Sequence, residues 1–210
     1  MKSLVLFSND LRLNDNEAIC SAIDGFKETS FIFLYDEDLY NSTHGSANLW
    51  WLEKSLKSLK IRLQDKNICL HIVKGEYVSK IVEIASKNDV QSVFLNENKH
   101  PNFIIKEQKL RKELEKINIQ FKSFNNTNLS EPASILNKSG EPYKVYSPFY
   151  KHCKSIYSQN KVFNFPTKQI NTFNINEDSI NTEEIFPISK NKWSDKLNKH
   201  WKPGEIEAHK

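Results

Sequence analysis

The sequence predicts an α/β fold in which a five-stranded, doubly wound parallel sheet carries helices on both faces and is followed by an irregular linker. Three observations predict it. Short apolar segments of strand length alternate with segments whose apolar residues recur at helical spacing. The strand segments are apolar without interruption, which is typical of strands buried on both faces. Strands separated by helices pair in parallel through right-handed crossovers.

The first strand and the first helix lie at the amino terminus. Residues 4–7, Leu-Val-Leu-Phe, form the first apolar segment. Residues 14–24 are predicted as a helix, with Asn14 or Asp15 as its N-cap, because a short polar side chain accepts a hydrogen bond from the free amides of the first turn. Gly25 is the expected end of this helix.

The second strand and helix give the clearest pattern. Residues 31–35, Phe-Ile-Phe-Leu-Tyr, combine aromatic and β-branched side chains over the length of a strand. A long helix is predicted from Ser46, and we interpret Trp50 and Trp51 as large apolar anchors that pack it on the sheet. Its apolar stripe has spacings of 3, 4, 3 and 4 and consists of Leu49, Leu52, Leu56, Leu59 and Leu63.

The alternation continues to about residue 125. The remaining predicted elements are a strand at 68–73 that ends before Gly75, a helix with the apolar positions Val78, Ile81, Val82 and Ala85, a strand at 92–95, a helix with Phe103, Leu110, Leu114 and Ile117, and a strand at 119–123. We therefore place the α/β domain at residues 1–130.

The pattern changes beyond this domain. Residues 131–192 are rich in Asn, Ser, Thr and Pro and are predicted as an extended linker. One short helix is expected within it at residues 147–157, with Pro148 at the first helical position. Residues 193–210 are predicted to become helical again.

Composition limits the classes of function. The 210 residues carry a formal net charge of +4 and only three cysteines, without a CxxC spacing. No apolar segment approaches the roughly 18 residues that span a bilayer, and no signal peptide is visible. We expect a cytoplasmic protein with reduced thiols and no membrane partner. Because its lysines are spread along the chain, the basic charge predicts a solvated surface and little duplex DNA binding.

Several chemistries lack their sequence signals. The five glycines never approach the spacing of a GxGxxG or P-loop motif, and the six histidines show no metal-ligand spacing. A GxSxG nucleophile motif is also missing. The carboxylates of Asp36 and Asp38, and of Asp10 and Asp15, suit helix capping or solvation as well as acid–base work. No catalytic or metal-binding residue is therefore predicted from the residues alone.

Residues 7–16 form a polar loop directly after the first strand, at the sheet edge where open α/β folds bind ligands. They read Phe-Ser-Asn-Asp-Leu-Arg-Leu-Asn-Asp-Asn and resemble the opening motif of the photolyase/cryptochrome family, Phe-Arg-x-Asp-Leu-Arg-Leu-x-Asp-Asn. Four further segments resemble family motifs in the family's order: residues 45–59, residues 93–96 followed by His100-Pro101, residues 142–151, and Pro203-Gly-Glu with Ala208.

The resemblance implies a Rossmann-like domain of the photolyase N-terminal type. In that family this domain holds a light-harvesting antenna, which is a folate, a deazaflavin or a flavin. A linker then leads to a helical domain that holds FAD and binds damaged DNA. Residues 193–210 would be a stub of that helical domain, so the chain alone is expected to lack photolyase activity and to need a helical domain that is missing or separately encoded.

The resemblance also implies an antenna site. The residues that could line it are Asn9, Tyr35, Asp38, Asn98 and His100. For each, a structural role is the alternative: turn capping for Asn9, Asp38 and Asn98, core packing for Tyr35, and an exposed loop position for His100. The chain departs from the family at two basic positions, because Ser8 and Leu49 stand where arginines are usual. An anionic ligand would thereby lose charge-assisted hydrogen bonds of about 1.5–3 kcal/mol each.

Three hypotheses follow from the sequence. The first is the antenna domain of a photolyase-like DNA repair protein. The second is a stand-alone α/β module that binds a nucleotide or flavin or interacts with another protein. The third is a DNA-binding protein in its own right.

The sequence also gives interpretations of two groups of residues. Asp10 and Arg12 are interpreted as a buried ion pair or as side chains that lock the loop through hydrogen bonds. Tyr143, Tyr146, Phe149 and Tyr150 are interpreted as residues that seat the linker against the sheet or the missing domain.

Overall fold

The computed structural model describes residues 1–125, 128, 135–157, 162–177, 179–185 and 193–209. Within them the chain forms five strands and nine helices. The strands are Lys2–Phe7 (β1), Glu28–Tyr35 (β2), Leu70–Lys74 (β3), Val90–Asn96 (β4) and Gln120–Phe124 (β5). The helices are Glu17–Gly25 (α1), Glu37–Thr43 (α2), Ser46–Gln64 (α3), Tyr77–Lys87 (α4), Pro101–Lys116 (α5), Tyr146–Ile156 (α6), Thr182–Ile185 (α7), Trp193–His200 (α8) and Glu205–Ala208 (α9).

The five strands form one parallel sheet in the order β3-β2-β1-β4-β5. The central strand β1 pairs with β2 through Val5 and Phe31, and with β4 through Val5 and Phe94. The chain order reverses between β1 and β4, so the carboxyl ends of these two strands meet at a topological switch point, where open α/β sheets bind ligands. The predicted five-stranded, doubly wound fold is confirmed.

The core has the composition that the strand segments predict. Leu4, Phe31 and Phe33 have no exposed surface, because helices cover both faces of the sheet. On α3 the leucine stripe packs inward, with only Leu49 partly exposed. Trp50 is 3% exposed, but the prediction that Trp51 is a core anchor is wrong. Trp51 is 42% exposed and lies outside the core, with its ring packed on Trp201 at 6.1 Å.

Two details near helix starts differ from the prediction. The N-cap of α1 is Asn16, whose Oδ1 accepts a hydrogen bond from Ile19 N at 3.1 Å. Asp15 instead has a left-handed backbone with φ of 49°, which Asp and Asn tolerate better than most residues.

Helix α2 was not predicted, because its seven residues are too few to show a periodic pattern. Asp36 caps it by accepting a hydrogen bond from Leu39 N at 3.0 Å.

The described residues of the linker between Asn171 and Ile180 run along the edge of the sheet near β2 and β3. Thr29 N donates to Asn171 O at 2.9 Å, and Ile180 N donates to Ile72 O at 2.8 Å. Phe173 is buried against the core. The domain limits at residues 130, 131 and 192 fall outside the described residues and stay predictions. Helix α6 begins one residue earlier than predicted, so Pro148 occupies its third position.

Helix α6 buries none of its side chains. Tyr146 is 71% exposed and Tyr150 is 51% exposed, and their rings stack on each other at 5.7 Å. The first alternative, that this aromatic cluster seats the linker on the sheet, is therefore wrong, because α6 projects its aromatic side chains into solvent. The second alternative, contact with the missing domain, stays a prediction.

The exposure of α6 gives a first testable prediction. Replacing Tyr146 and Tyr150 together by serine is expected to change the free energy of unfolding of the chain by less than about 1 kcal/mol, because neither ring packs on the core. Leu56→Ala in the buried stripe of α3 is the contrast and is expected to cost about 2–5 kcal/mol. Chemical denaturation of both variants measures this, and a loss above 1 kcal/mol in the double serine variant would contradict it.

Candidate functional site

A buried polar network holds the carboxyl ends of β1 and β4 together. Asn96, the last residue of β4, donates from Nδ2 to Asp10 Oδ2 at 2.7 Å and to Asn16 Oδ1 at 2.8 Å. All three side chains are at most 5% exposed. Since Asn16 also caps α1, one amide links the strand end, the loop after β1 and the first helix. The network fixes the shape of residues 8–16.

The same loop is locked by its own backbone. Asp10 Oδ1 accepts a hydrogen bond from Ser8 N at 3.0 Å, and Arg12 Nε donates to Asp15 O at 3.0 Å. These contacts match the second of the two interpretations of Asp10 and Arg12, in which they lock the loop. Ser8 is buried beneath the loop with its hydroxyl 3.4 Å from Asp10 Oδ1.

A cavity of about 540 Å³ lies next to this loop. Its size falls within the range of small-molecule and cofactor sites. The loop forms one wall, the end of α2 and one face of α3 form the second, and α9 with the residues around it forms the third. The lining residues are Asn9, Asp10, Leu11, Arg12, His44, Asn48, Trp51, Leu52, Ser55, Gly204, Glu205, Ala208 and His209.

The chemistry of the cavity is mixed. Trp51 offers an aromatic surface, Asn9 and Asn48 offer amide groups, and Arg12 contributes a cation. Burial lowers the pKa of His44, and the nearby His100 lowers it further, while a hydrogen bond to the backbone of Tyr40 opposes both. The His44 imidazole is therefore neutral at pH 7, and its N–H is taken up by the hydrogen bond to the Tyr40 backbone.

The structure does not bring the five sequence-predicted site residues together in one site, although Asn98 and His100 are neighbours, with His100 N donating to Asn98 Oδ1 at 3.0 Å. Asn9 lines the cavity. Tyr35 is buried and donates its hydroxyl to Asn41 Oδ1 at 3.3 Å. Asp38 lies exposed in the first turn of α2. Tyr35 and Asp38 do not contribute to the cavity lining, and their assignment as site residues stays a prediction.

The other two predicted residues lie at the start of α5. His100 is the N-cap of this helix and accepts at Nδ1 from Asn102 N at 3.3 Å. Asn98 donates its backbone N–H to Glu107 Oε1 at 3.2 Å, while its own Nδ2 is buried with no hydrogen-bond partner among the described residues. Asn98 and Glu107 line a separate depression of about 320 Å³ beside β5.

A row of aromatic rings separates the predicted positions from the cavity. Tyr40 has no exposed surface and packs against Tyr35 and His44 at 5.5 and 5.3 Å between ring centroids. Phe103 closes the row on the other side, at 5.4 Å from Tyr40 and 6.4 Å from His100. The space between Tyr35 and His100 is therefore filled by side chains, and the open volume lies on the far side of His44.

Sequence reasoning missed most of the cavity. A signal was available on α3, where Trp51, Ser55, Ser58 and Arg62 recur at spacings of 4, 3 and 4 and form a second helix face beside the leucine stripe. Such a face, with a tryptophan and two serines beside a single arginine, is less charged than the outer face of a solvated helix usually is. No comparable signal existed for His44, which comes from the end of the short helix α2.

The described residues hold neither a metal-ligand cluster nor a membrane-spanning helix. Within them, no group of three or more His, Cys, Asp and Glu side chains is arranged to hold a metal ion. No helix among the described residues is long and apolar enough to cross a membrane.

The parallel sheet, its switch point between β1 and β4 and the polar loop at that edge define a Rossmann-like ligand-binding α/β domain. Comparison with known proteins then gives the family. The sequence profile of DNA photolyase matches residues 3–168, most of the chain. The chain therefore belongs to the DNA photolyase family, and the predicted relationship is confirmed.

The chain is similar to both photolyases and cryptochromes. It is 25% identical over 207 residues to the deoxyribodipyrimidine photo-lyase of Agrobacterium fabrum, covering 98% of the chain and 42% of that protein. It is 24% identical over 204 residues to cryptochrome-1 of Arabidopsis thaliana, covering 96% of the chain and 30% of that protein. The chain thus spans less than half the length of these relatives and matches their N-terminal part.

Solved structures agree with this placement. The crystal structure of a bacterial class III photolyase from Agrobacterium tumefaciens superposes with a TM-score of 0.88 at 25% identity, covering 99% of the chain and 43% of that protein. A cryptochrome from Synechocystis has the same fold, with a TM-score of 0.77 at 21% identity over 89% of the chain and 41% of that protein.

Proposed function

We propose that this chain is the light-harvesting antenna domain of a photolyase-like DNA repair protein. The observation that carries the proposal is the 540 Å³ cavity beside the loop after β1, in a chain that matches the N-terminal part of photolyases. Its ligand would be a planar aromatic chromophore of the folate, deazaflavin or flavin class. The chain would collect light and pass the excitation on, without photolyase chemistry of its own.

The lining of the cavity suits such a ligand. A planar heteroaromatic ring can stack on Trp51, and aromatic stacking is worth about 0.5–1.5 kcal/mol beyond the area that it buries. The amides of Asn9 and Asn48 can pair with the donors and acceptors on the ring edge, and the neutral imidazole of His44 borders the same space. Arg12 places a positive charge on the lining of the cavity, whereas Ser8 and Leu49 provide none.

The test is a titration of the purified chain with FAD, FMN, a methenyl-folate and a hydroxy-deazaflavin, followed by absorbance and fluorescence. We expect one of them to bind and to quench tryptophan fluorescence. Trp51→Leu is expected to weaken binding about tenfold, which corresponds to about 1.4 kcal/mol of lost stacking. A chain that rejects all four chromophores would exclude the antenna role.

Matched variants show whether the chromophore binds in the cavity or at the residues that the family resemblance implied. Tyr150→Leu removes an exposed ring outside the cavity and should leave the affinity unchanged. Asp38→Asn changes one of the implied residues, which lies outside the cavity, and should also have little effect. If Asp38→Asn weakens binding more than Trp51→Leu does, the chromophore binds at the implied residues and not in the cavity.

The partner in this proposal is a helical domain that holds FAD and binds damaged DNA. Two observations support a partner. The two relatives described above are more than twice as long as this chain, and α6 presents unpacked aromatic side chains. Whether that domain is separately encoded, and whether the chain is cytoplasmic, are predictions. Duplex DNA binding by this chain alone is expected to be weak.

A stand-alone module that binds a nucleotide or flavin is the second candidate. The same cavity favours it, since neither its size nor its polarity requires an energy-transfer partner. Absorption and emission of the bound ligand separate the two functions. An antenna retains a fluorescent excited state that can be transferred, whereas a ligand bound for structure or regulation needs none.

A further inference from the structure

The second face of α3 is occupied by the C-terminal segment, here defined as residues 193–209. Trp51 packs edge-to-face on Trp201 at 6.1 Å, and Ser58 contacts Gly204. One turn further along, Arg62 forms an ion pair with Glu205. Residues spaced by one helical turn on α3 therefore meet successive residues of the C-terminal segment, which indicates a specific packing of the segment on α3.

Gly204 makes the closest approach in this contact. Its φ is 123°, a conformation that side chains with a Cβ rarely adopt. A Cβ at this position would lie 2.7 Å from the Cβ of Ser58 and would also collide with its hydroxyl. Glycine is thus required here both by backbone conformation and by the distance between the segment and α3.

The Glu205 carboxylate crosses from the segment to the loop after β1. Its Oε2 accepts a hydrogen bond from Leu13 N at 2.7 Å, and its Oε1 accepts one from Asn14 N at 2.9 Å. The side chain is only 4% exposed, and its charge is balanced by Arg62. A buried carboxylate that accepts hydrogen bonds from two backbone amides and pairs with a guanidinium is held firmly, since charge-assisted hydrogen bonds are stronger than neutral ones.

These contacts join two walls of the cavity. Residues 9–12 form the loop wall and directly precede Leu13 and Asn14, whose backbone N–H groups donate to Glu205. Ala208 and His209 follow Glu205 in the chain and line the opposite wall. Both oxygens of Glu205 are engaged with the loop, so the carboxylate is not free to bind a ligand directly. Its influence on a ligand would act through the positions of the two walls.

We propose that Glu205 is the positioning residue of the cavity: its carboxylate locks the C-terminal segment to the loop after β1 and thereby sets the distance between the two walls. The hydrogen bonds from Leu13 N and Asn14 N to Glu205, called the lock below, are a property of the chain. The consequence of the lock for ligand affinity rests on the proposed function.

Glu205→Gln tests the lock, because it retains the size of the side chain but removes the charge and replaces one acceptor with a donor. Asp195→Asn, an exposed change of the same charge in the same segment, is the control. Amide hydrogen exchange at Leu13 and Asn14, followed by NMR, is the first measurement. We expect exchange at both amides to accelerate at least tenfold in Glu205→Gln, while exchange at Val5 in the centre of β1 stays as in the unchanged chain.

Gly204→Ala is the second variant, because it displaces the segment while the carboxylate remains. It should accelerate exchange at the same two amides. Chromophore titration is the second measurement, and both variants should weaken binding at least fivefold, whereas Asp195→Asn should not.

The outcomes separate the two proposals. Unchanged exchange at Leu13 and Asn14 in both variants overturns the lock. Faster exchange with unchanged chromophore affinity overturns the positioning role. Equal acceleration at Val5 also overturns it, since the effect would then be a general loss of stability. A chain that binds no chromophore but shows the expected exchange supports the lock and rejects the antenna function.

Discussion

Replacing Asn96 by leucine is expected to lower the free energy of unfolding by about 3 kcal/mol, which makes this buried amide a sensitive position. The change removes hydrogen bonds to the carboxylate of Asp10 and to Asn16, the N-cap of α1. Losing a buried hydrogen bond to a charged group costs about 1.5–3 kcal/mol, and a weakened N-cap adds about 1 kcal/mol. Asn96 Oδ1 has no hydrogen-bond partner among the described residues, so its removal offsets part of this loss.

Chemical denaturation measures the effect, and Asn102→Leu is the control. Asn102 lies exposed in the first turn of α5, where the same chemical change should alter stability by less than about 0.5 kcal/mol. The loop after β1 should also lose order in Asn96→Leu, which faster amide exchange at Ser8 would reveal, because Ser8 N donates to Asp10. A loss below 1 kcal/mol for Asn96→Leu would show that the network is not a stabilising feature of the switch point.

Replacing Glu107 by glutamine is expected to change how stability depends on pH. Burial raises the pKa of Glu107 from 4.5 to about 7, the charges of Glu97 and Asp10 add to the rise, and a hydrogen bond from Asn98 N together with Lys99 opposes it. Between pH 4.5 and 7 the folded chain binds more protons at this carboxyl than the unfolded chain does. Stability therefore falls as the pH rises through this window, by about 3 kcal/mol from this one group.

Glu107→Gln removes this dependence while its amide oxygen can still accept from Asn98 N. The variant is expected to be more stable than the unchanged chain at pH 8 and to lose that advantage at pH 5. Urea denaturation at four pH values measures the difference, and Glu115→Gln, an exposed change on the same helix, should leave the pH profile unaltered. A stability difference that is the same at pH 5 and pH 8 would contradict the raised pKa.

Much of the fold was predictable because the periodicity of buried residues is local information. The leucine stripe of α3 and the apolar strands appear in the sequence at the spacing that their burial requires. Helix α2 was missed since seven residues do not display a period. Its start is marked only by Asp36, and an Asp before an acidic segment also occurs in ordinary loops.

The candidate site was predictable only in part. The loop after β1 was expected to lie at the ligand edge, and Asn9 does line the cavity. The implied positions Tyr35 and His100 are separated from the cavity by Tyr40 and Phe103, whose packing depends on how α2 and α5 meet. A contact between helices that are 60 residues apart leaves no trace in the spacing of either one.

By itself, the sequence determined that this protein is a doubly wound α/β domain of the DNA photolyase family with a polar loop after its first strand, because hydrophobic period and motif order are properties of neighbouring residues. Only the tertiary structure decided where the open volume lies and that Glu205 meets Leu13 and Asn14. These contacts join residues some 190 positions apart along the chain, and they exist because the loop after β1 and Arg62 of α3 meet at the same carboxylate of Glu205.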